Sequence, residues 1–225
     1  MPISYNFKTI FVHIPKAAGT SIEKYLGMGS IKELFSYKPV KETGLIYDDT
    51  LLTLAQQNEL ANVTPQHIRA EILQQILPSE VFNSFWKFTV ARHPYTKMLS
   101  EYSYVNKEHI PKLIEFKGLS FTAFLSKAFA LEEDLQVSLF DNHLASQKSF
   151  IVNDNGDLLV DSLFKFEELE ACIVALQERT KASATFPHSR QTTSSADLSL
   201  LSDESKELIY QKFKEDFDFF SYDAA

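Results

Sequence analysis

A lysine, a turn of small residues and two hydroxyl side chains follow an apolar stretch near the start of the 225-residue sequence. The stretch reads FVHIPKAAGTSIE over residues 11–23, and a helical pattern begins at its end. Backbone amides in such a turn attract anions, and the lysine adds a full positive charge. The pattern therefore predicts a phosphate or sulfate site. The residues that would form this site are Lys16, Ala17, Ala18, Gly19, Thr20 and Ser21.

The order of these residues differs from that of a nucleoside-triphosphate loop. A Walker A loop reads G-x-x-x-x-G-K-[ST], with the lysine after the glycines and a hydroxyl placed for magnesium. Here Lys16 precedes Gly19. For these residues taken alone, a strand–turn–helix connection with a solvated lysine is an open alternative.

A second stretch, FTVARHPYTKMLSEY over residues 88–102, could hold another anion. Arg92 leaves an apolar run, His93 and Pro94 interrupt the chain, and Ser100 follows about two helical turns later. Arginine binds phosphate oxygens through two parallel hydrogen bonds. Arg92 and Ser100 are therefore candidates for a second anion site.

Strands and helices alternate in the predicted secondary structure. Buried-strand patterns cover residues 7–14, 86–91 and 162–166, and helical patterns cover residues 20–26, 50–60, 95–104, 119–131, 167–180 and 203–219. This alternation predicts an α/β fold whose mainly parallel sheet is flanked by helices. Ligands of such sheets bind beyond the carboxyl ends of the strands. Lys16 and Arg92 each follow the end of a predicted strand, so both are expected near a ligand.

Three other segments carry predictions of their own. Thr64 and Pro65 suit the first positions of a further helix, with an apolar stripe of Ile68, Ile72 and Ile76. The segment FIVNDNGDLLV predicts a hairpin that turns at Asn155 and Gly156. The polar stretch 181–202 predicts a long functional loop.

Composition and charge limit the classes of partner. The length of 225 residues and the ordinary composition, 44% hydrophobic and 23% charged, predict one domain over residues 1–225, with two small domains as an alternative. The formal net charge of −8 argues against nucleic acid or an anionic membrane surface as a partner. No apolar run predicts an integral membrane segment. Cys172, the only cysteine, excludes an intrachain disulfide and fits a cytoplasmic location. Neither H-E-x-x-H nor clustered cysteines occur, so no metal site is predicted.

Most of the histidines have structural interpretations. His13 is expected to be buried in the first strand, and His93 to be a turn residue. His109, His143 and His188 have no helical or motif partner, so they are expected at the surface or in loops.

Together the two stretches resemble sulfotransferases that use 3′-phosphoadenosine 5′-phosphosulfate (PAPS), in particular the family of the carbohydrate 2-O-sulfotransferases and their bacterial relatives. In that family the first motif reads much like HIPKAAGTS and holds the 5′-phosphosulfate. The second reads much like VRNPYxRxxSxY and holds the 3′-phosphate. The resemblance implies a P-loop-like three-layer sandwich, with Lys16 to Ser21 at the 5′ end of PAPS and with Arg92 and Ser100 at the 3′-phosphate.

The sequence departs from the family's motifs at two places. Ala17 and Ala18 replace the Thr-Gly pair of many relatives, and His93 stands where asparagine is common. Ala18 is costly only if its position requires a positive φ, because alanine disfavours that conformation.

A weaker resemblance extends along the rest of the chain. His67, in TPQHIRAEIL, is similar to the histidine that precedes the family's second motif. FPHSRQTTSS stands where relatives carry a loop that closes over the nucleotide, which makes Arg190 a candidate for binding the 3′-phosphate.

The resemblance implies transfer of a sulfuryl group from PAPS to the hydroxyl of a glycan or a small acceptor, without a required metal. Lys16 would stabilise the leaving phosphate. His67 would be the general base, kept uncharged at the third position of the helix opened by Thr64, with Glu71 as the substitute base. A nucleotide-dependent phosphotransferase, disfavoured by the position of the lysine, and a non-catalytic nucleotide-binding module are the alternatives. The sequence does not determine the acceptor or the oligomeric state.

Overall fold

A four-stranded sheet forms the centre of the fold. The computed structural model describes residues 3–28, 65–181, 186 and 197–224. The strands are β1 (Ile3–Ser4), β2 (Thr9–Val12), β3 (Trp86–Ala91) and β4 (Ser162–Lys165), in this order across the sheet. β1 pairs antiparallel with β2, whereas β2, β3 and β4 are parallel neighbours. The carboxyl ends of these three parallel strands therefore meet at one edge of the sheet.

The burial of β2 and β3 shows that both faces of the sheet are covered. All of β2 is buried, and so are residues 87–91 of β3. Successive side chains of a strand point to opposite faces, so other elements must pack on each side. The three predicted strands are confirmed: the prediction for 86–91 matches β3 residue for residue, and the other two are longer than β2 and β4.

The helices are α1 (Gly19–Tyr25), α2 (Ala70–Ile76), α3 (Ser79–Ser84), α4 (Pro94–Lys107), α5 (Phe121–Phe129), α6 (Glu133–Phe140), α7 (Leu169–Thr180) and α8 (Asp203–Phe220). Short 3₁₀ turns span Pro65–His67, Pro111–Phe116, Lys148–Phe150, Phe166–Glu168 and Leu198–Leu200. The predicted α/β fold with a mainly parallel, helix-flanked sheet is confirmed. In the described segments, no helix combines the length and the apolar character needed to cross a membrane.

Two clusters of buried side chains hold these elements together. The first joins the strands to α1, α2, α3 and α7 and includes Phe11, Phe88 and Cys172. The second joins α4, α5, α6 and α8 around Phe124 and Phe213. Burying one large apolar side chain stabilises the fold by about 1.5–3 kcal/mol. The two clusters therefore stabilise the strands and helices that carry the candidate residues.

Helix α4 carries the second predicted stretch away from β3. Pro94 is its first residue, and Nδ1 of His93 accepts a hydrogen bond from the backbone N–H of Tyr95 at 3.3 Å. A proline at this position costs no helical hydrogen bond, because the first N–H groups have no partner within the helix. The helix buries Tyr95, Met98, Leu99 and Val105 and extends beyond the predicted 95–104 at both ends.

The predicted start of a helix at Thr64 and Pro65 is wrong, although a shorter helix with Ile72 and Ile76 follows as α2. Pro65–His67 form a 3₁₀ turn, Arg69 has extended backbone with φ −70° and ψ 150°, and α2 begins only at Ala70. Extended backbone cannot continue the helical hydrogen-bond ladder. His67 therefore does not lie in the first turn of an α-helix, and Thr64 lies outside the described residues.

The predicted hairpin is present in a reduced form. It consists of one bridge between Val152 and Leu158, and its turn closes where the N–H of Gly156 donates to the carbonyl of Asn153 at 2.9 Å. The turn is thus centred one residue earlier than predicted, and Gly156 supplies the left-handed residue with φ 87°. The predicted helix 50–60 and most of the stretch 181–202 lie outside the described residues.

Candidate active site

The turn after β2 contains two left-handed residues that are not glycine. Lys16 has φ 67° and Ala18 has φ 65°, while the buried Ala17 between them does not have a positive φ. Ala18 is also the N-cap of α1 and offers no side-chain oxygen to the first N–H groups of the helix. The position of Ala18 therefore does require the conformation that alanine disfavours.

Gly19 is required by the ring of His13, which lies against it. A Cβ atom on Gly19 would come within 1.8 Å of Nε2 of His13, far inside any possible contact. The buried His13 is held from the other side, because its Nδ1 donates to Oε1 of Glu23 on α1 at 2.9 Å. This contact fixes the turn against the end of β2 and confirms the prediction that His13 is buried.

Arg92 joins the two predicted stretches. Its Nη1 donates to the backbone carbonyl of Lys16 at 3.0 Å, and its Nε donates to Oγ1 of Thr96 on α4 at 3.1 Å. The guanidinium also lies over the ring of Phe166, 4.2 Å from the centroid. Ser100 lies one helical turn after Thr96 and is buried. The turn after β2 and the junction after β3 therefore form one site at the carboxyl edge of the sheet.

The main chain of Arg92 is fastened by the side chain of Gln147. The backbone N–H of Arg92 donates to Oε1 of Gln147 at 2.9 Å, and Nε2 of Gln147 donates back to the carbonyl of Arg92 at 2.7 Å. Asp216 of α8, fully buried, accepts hydrogen bonds from Ser146 Oγ and from the N–H groups of Gln147 and Lys148. Helix α8 thus holds the segment that holds Arg92.

Four rings in a row connect the ammonium of Lys16 with Gly19: Tyr104, His143, His67 and His13. Nζ of Lys16 lies 4.0 Å from the ring centroid of Tyr104 on α4, and that ring lies 5.9 Å from His143. The next centroid separations are 5.0 Å from His143 to His67 and 4.9 Å from His67 to His13. We call His13, His67 and His143 the histidine row. It borders the turn that carries Lys16.

Each member of the histidine row donates through Nδ1 to a carboxylate. The distances are 2.9 Å from His13 to Glu23, 3.0 Å from His67 to Asp141 and 2.7 Å from His143 to Glu101. An ionised carboxylate can only accept hydrogen bonds, so each pair places the proton of a neutral ring on Nδ1.

Comparison with known families agrees with this architecture. The model of a family described as the sulfotransferase family matches residues 3–223 of the chain. The chain belongs to the sulfotransferase family. No curated protein and no solved structure matches it significantly. Membership supports transfer of a sulfuryl group from a sulfate donor to an acceptor substrate.

Burial dominates the electrostatics of this candidate site. It lowers the pKa of both His13 and His143, against the opposing effect of their carboxylate partners. Burial also lowers the pKa of Arg92 to about 10, which leaves the guanidinium charged at neutral pH. Burial would raise the pKa of Glu101, but His143, Lys16 and Lys97 outweigh it and hold that pKa below its ordinary value.

Sequence reasoning missed four residues of the candidate site: Glu101, Tyr104, Asp141 and His143. His143 lies in the turn after α6, as expected of a loop residue, but it was not expected at the site; Asp141 and Asn142, with φ 52° and 64°, turn the chain back there. Glu101 follows Ser100, and Tyr104 lies one helical turn further along α4. Helical periodicity from Ser100 would have indicated Tyr104, whereas no local pattern indicates Asp141 or His143.

The remaining predicted residues lie in the first turn of α1, at the start of α4 or outside the described residues. Thr20 is exposed and Ser21 half-buried in the first turn of α1. His93 is a turn residue, as predicted, since its ring caps α4 and its Nε2 donates to the carbonyl of Asp223 at 2.9 Å. Arg190 lies outside the described residues.

Proposed function

We propose that this sulfotransferase uses PAPS as its donor and transfers the sulfuryl group to a hydroxyl of a carbohydrate. The observation that carries the proposal is the hydrogen bond from Nη1 of Arg92 to the carbonyl of Lys16. It unites a lysine-containing turn and an arginine-containing junction, the two features needed to bind a nucleotide with phosphate at both ends. We further propose that the reaction is performed by a single domain in the cytoplasm.

The residues of the site fit the donor by charge and by donor type. Lys16 and the amides of residues 17–21 would hold the 5′-phosphosulfate, since left-handed turns direct successive N–H groups toward an anion. Arg92 and Ser100 would hold the 3′-phosphate, and the family resemblance adds Arg190. Arg92 has five N–H groups and donates two of them, to Thr96 and to the carbonyl of Lys16. The other three would bind phosphate oxygens.

Lys16 is the residue to which we assign stabilisation of the leaving phosphate. Negative charge grows on the leaving oxygen during in-line transfer, and a placed donor lowers the barrier by about 3 kcal/mol. The ammonium lies over the face of Tyr104, 4.0 Å from its centroid. A cation on an aromatic face keeps its charge while losing freedom of motion, so Tyr104 would orient Lys16.

His67 is the residue to which we assign the general base. The carboxylate of Asp141 binds Nδ1 at 3.0 Å, which gives the tautomer whose Nε2 can take the proton of an acceptor hydroxyl. The helix dipole expected from the sequence has no part in this proposal, because the hydrogen bond to Asp141 sets the tautomer of His67. The substitute base, Glu71, instead accepts a hydrogen bond from the N–H of Asp154 at 3.3 Å, beside the hairpin turn.

Calorimetry with three nucleotides tests the donor. We expect 3′-phosphoadenosine 5′-phosphate (PAP) to bind more tightly than AMP, which lacks the 3′-phosphate, and more tightly than ATP. Transfer of labelled sulfate from PAPS to small glycans, measured with and without a chelator, tests the reaction. Equal affinity for PAP and AMP would overturn the donor assignment, and a strict need for magnesium would favour a phosphotransferase.

A pair of histidine variants tests the base. His67→Ala should keep its affinity for PAP and lose about a hundredfold or more in kcat, the usual effect of losing acid–base catalysis. The exposed His109 serves as the matched control, and His109→Ala should retain full turnover. Near-normal turnover by folded His67→Ala would place the base elsewhere.

A further inference from the structure

His67, Asp141 and His143 bring together the ligand types of a late transition-metal site. One nitrogen or oxygen from each lies within 4.8 Å of the others. Two imidazoles and a carboxylate suit Zn²⁺, whereas Mg²⁺ prefers oxygen ligands alone. Sequence patterns did not indicate this group, because its members come from a 3₁₀ turn and from the end of α6.

The distances within the group are close to those of a coordination sphere. Nδ1 of His67 and Oδ2 of Asp141 are 3.0 Å apart, and two ligands about 2 Å from one ion lie about 3 Å apart at a right angle. Two ligands of a tetrahedral zinc ion, each about 2 Å from it, lie about 3.3 Å apart. A pair at the 4.8 Å limit would therefore have to approach by about 1.5 Å for all three to share one ion.

Glu101 completes the arrangement from outside the group. Its Oε2 accepts from Nδ1 of His143 at 2.7 Å, so that Nε2 is the nitrogen His143 can offer to a metal. Metal-binding histidines commonly donate their other N–H to a carboxylate, which fixes the ring and raises its basicity. The carboxylate of Glu101 also offsets the positive charge of Lys16, which acts on both Glu101 and His143.

The backbone that presents the group turns through two left-handed residues. Asp141 and Asn142 are consecutive in this conformation. Asp and Asn adopt it more readily than other residues that carry a side chain. Here they place Asp141 and His143 together beside His67.

We propose that His67, Asp141 and His143 bind one Zn²⁺ ion and that this ion inhibits sulfuryl transfer. Inhibition rests on the proposed function, because an ion bound at Nδ1 of His67 would leave the ring proton on Nε2, the nitrogen assigned to take the proton of the acceptor hydroxyl. Binding itself does not rest on it. The ion is thus an inhibitory ligand, and transfer proceeds without it.

Binding is tested on the full chain without nucleotide or acceptor. Titration with Co²⁺, followed by its visible absorption, and calorimetry with Zn²⁺ should each show one ion per chain, and Mg²⁺ should not compete. His143→Gln and Asp141→Asn should weaken binding by more than about a hundredfold, and Glu101→Gln by about 10–100-fold. His109→Ala, which changes an exposed histidine outside the group, should bind as the unchanged chain does.

Three outcomes would overturn the proposal: absence of stoichiometric binding, binding unchanged in both His143→Gln and Asp141→Asn, or full transfer activity with the ion bound. Thermal unfolding of each variant separates loss of the site from loss of the fold, and Glu101→Gln keeps all three ligands if a ligand variant does not fold. Failure of PAP to bind would overturn the proposed donor but not the metal site.

Discussion

Two turns leave neighbouring parallel strands in this sulfotransferase, and they are built in opposite ways. The turn after β2 uses left-handed Lys16 and Ala18 and ends in a helix whose N-cap residue has no polar side chain. The junction after β3 has Pro94, the cap of His93 and two hydrogen bonds from Gln147 to the main chain of Arg92. One turn is strained and the other is fastened.

The difference indicates a division of labour between the two turns. Left-handed residues cost about 1–2 kcal/mol each when they are not glycine. Buried hydrogen bonds each contribute about 0.5–1.5 kcal/mol, and losing a partner costs more. The hydrogen bonds at the junction after β3 therefore stabilise the site. The left-handed residues in the turn after β2 lower that stability, and their conformation is suited to binding an anion.

Removal of Gln147 is the largest expected perturbation of the fastened turn. Gln147→Ala leaves the buried N–H and C=O of Arg92 without their partners, which should lower the free energy of unfolding by about 2–6 kcal/mol. Chemical denaturation measures the loss. The matched control is Gln136→Ala, a buried glutamine bound to Leu131 and Lys212, which should lose stability but keep its PAP affinity per folded molecule. Unchanged stability of Gln147→Ala would remove the contrast between the turns.

Lys16→Met tests the chemical role of the strained turn. The ammonium matters most where charge develops, so kcat should fall about a hundredfold or more, equal to about 2.7 kcal/mol or more, while PAP affinity falls less. Lys24→Met changes an exposed lysine of α1 and should leave both quantities unchanged. If Lys16→Met loses affinity but retains kcat, Lys16 is an anchor of the donor only.

Arg92→Ala tests whether the fastened turn binds phosphate as well as supporting the site. A charged hydrogen bond to phosphate contributes about 1.5–3 kcal/mol, so the preference for PAP over AMP should fall about tenfold to a hundredfold. Arg179→Ala, which removes an exposed arginine over Trp86, provides the control in calorimetry. A preference that survives in Arg92→Ala would leave this arginine a purely structural role.

The smallest expected effects have opposite signs at two adjacent alanines. Ala18→Gly relieves a positive φ and should raise the free energy of unfolding by about 0.5–1 kcal/mol, even after the added entropy of the unfolded chain. Ala17→Gly removes a buried methyl group without any positive φ to relieve and should lower it by about 1 kcal/mol. The two thermal unfolding midpoints decide the matter: a loss of stability in Ala18→Gly would show that the turn is not strained there.

Sequence reasoning succeeded where the structure depends on neighbouring residues. Trp86 to Ala91 form a buried strand because an apolar, β-favouring run of this length can be buried on both faces. Pro94 fixes the start of α4 for a local reason as well. Parallel pairing of β2 and β3 then brings Lys16 and Arg92 to one edge, which the order of strands and helices predicts.

Sequence reasoning failed where a side chain is placed by distant contacts. His67 takes its position from Asp141, 74 residues away, and the 3₁₀ turn that carries it ends before α2 begins. His143 pairs with Glu101 across 42 residues. Such pairs leave no periodic signal, so single-sequence reasoning found one histidine by resemblance and missed the other.

Cys172 gives the protein a practical property. The thiol lies fully buried on α7, and burial raises its pKa to about 12, so the thiol stays protonated at neutral pH. Thiol reagents should therefore spare it in the folded protein. A second cysteine introduced at the exposed Lys107, beyond the site on α4, would accept a spin label or a fluorophore alone. The surroundings of that single label can then be followed spectroscopically without replacing any native residue of the core.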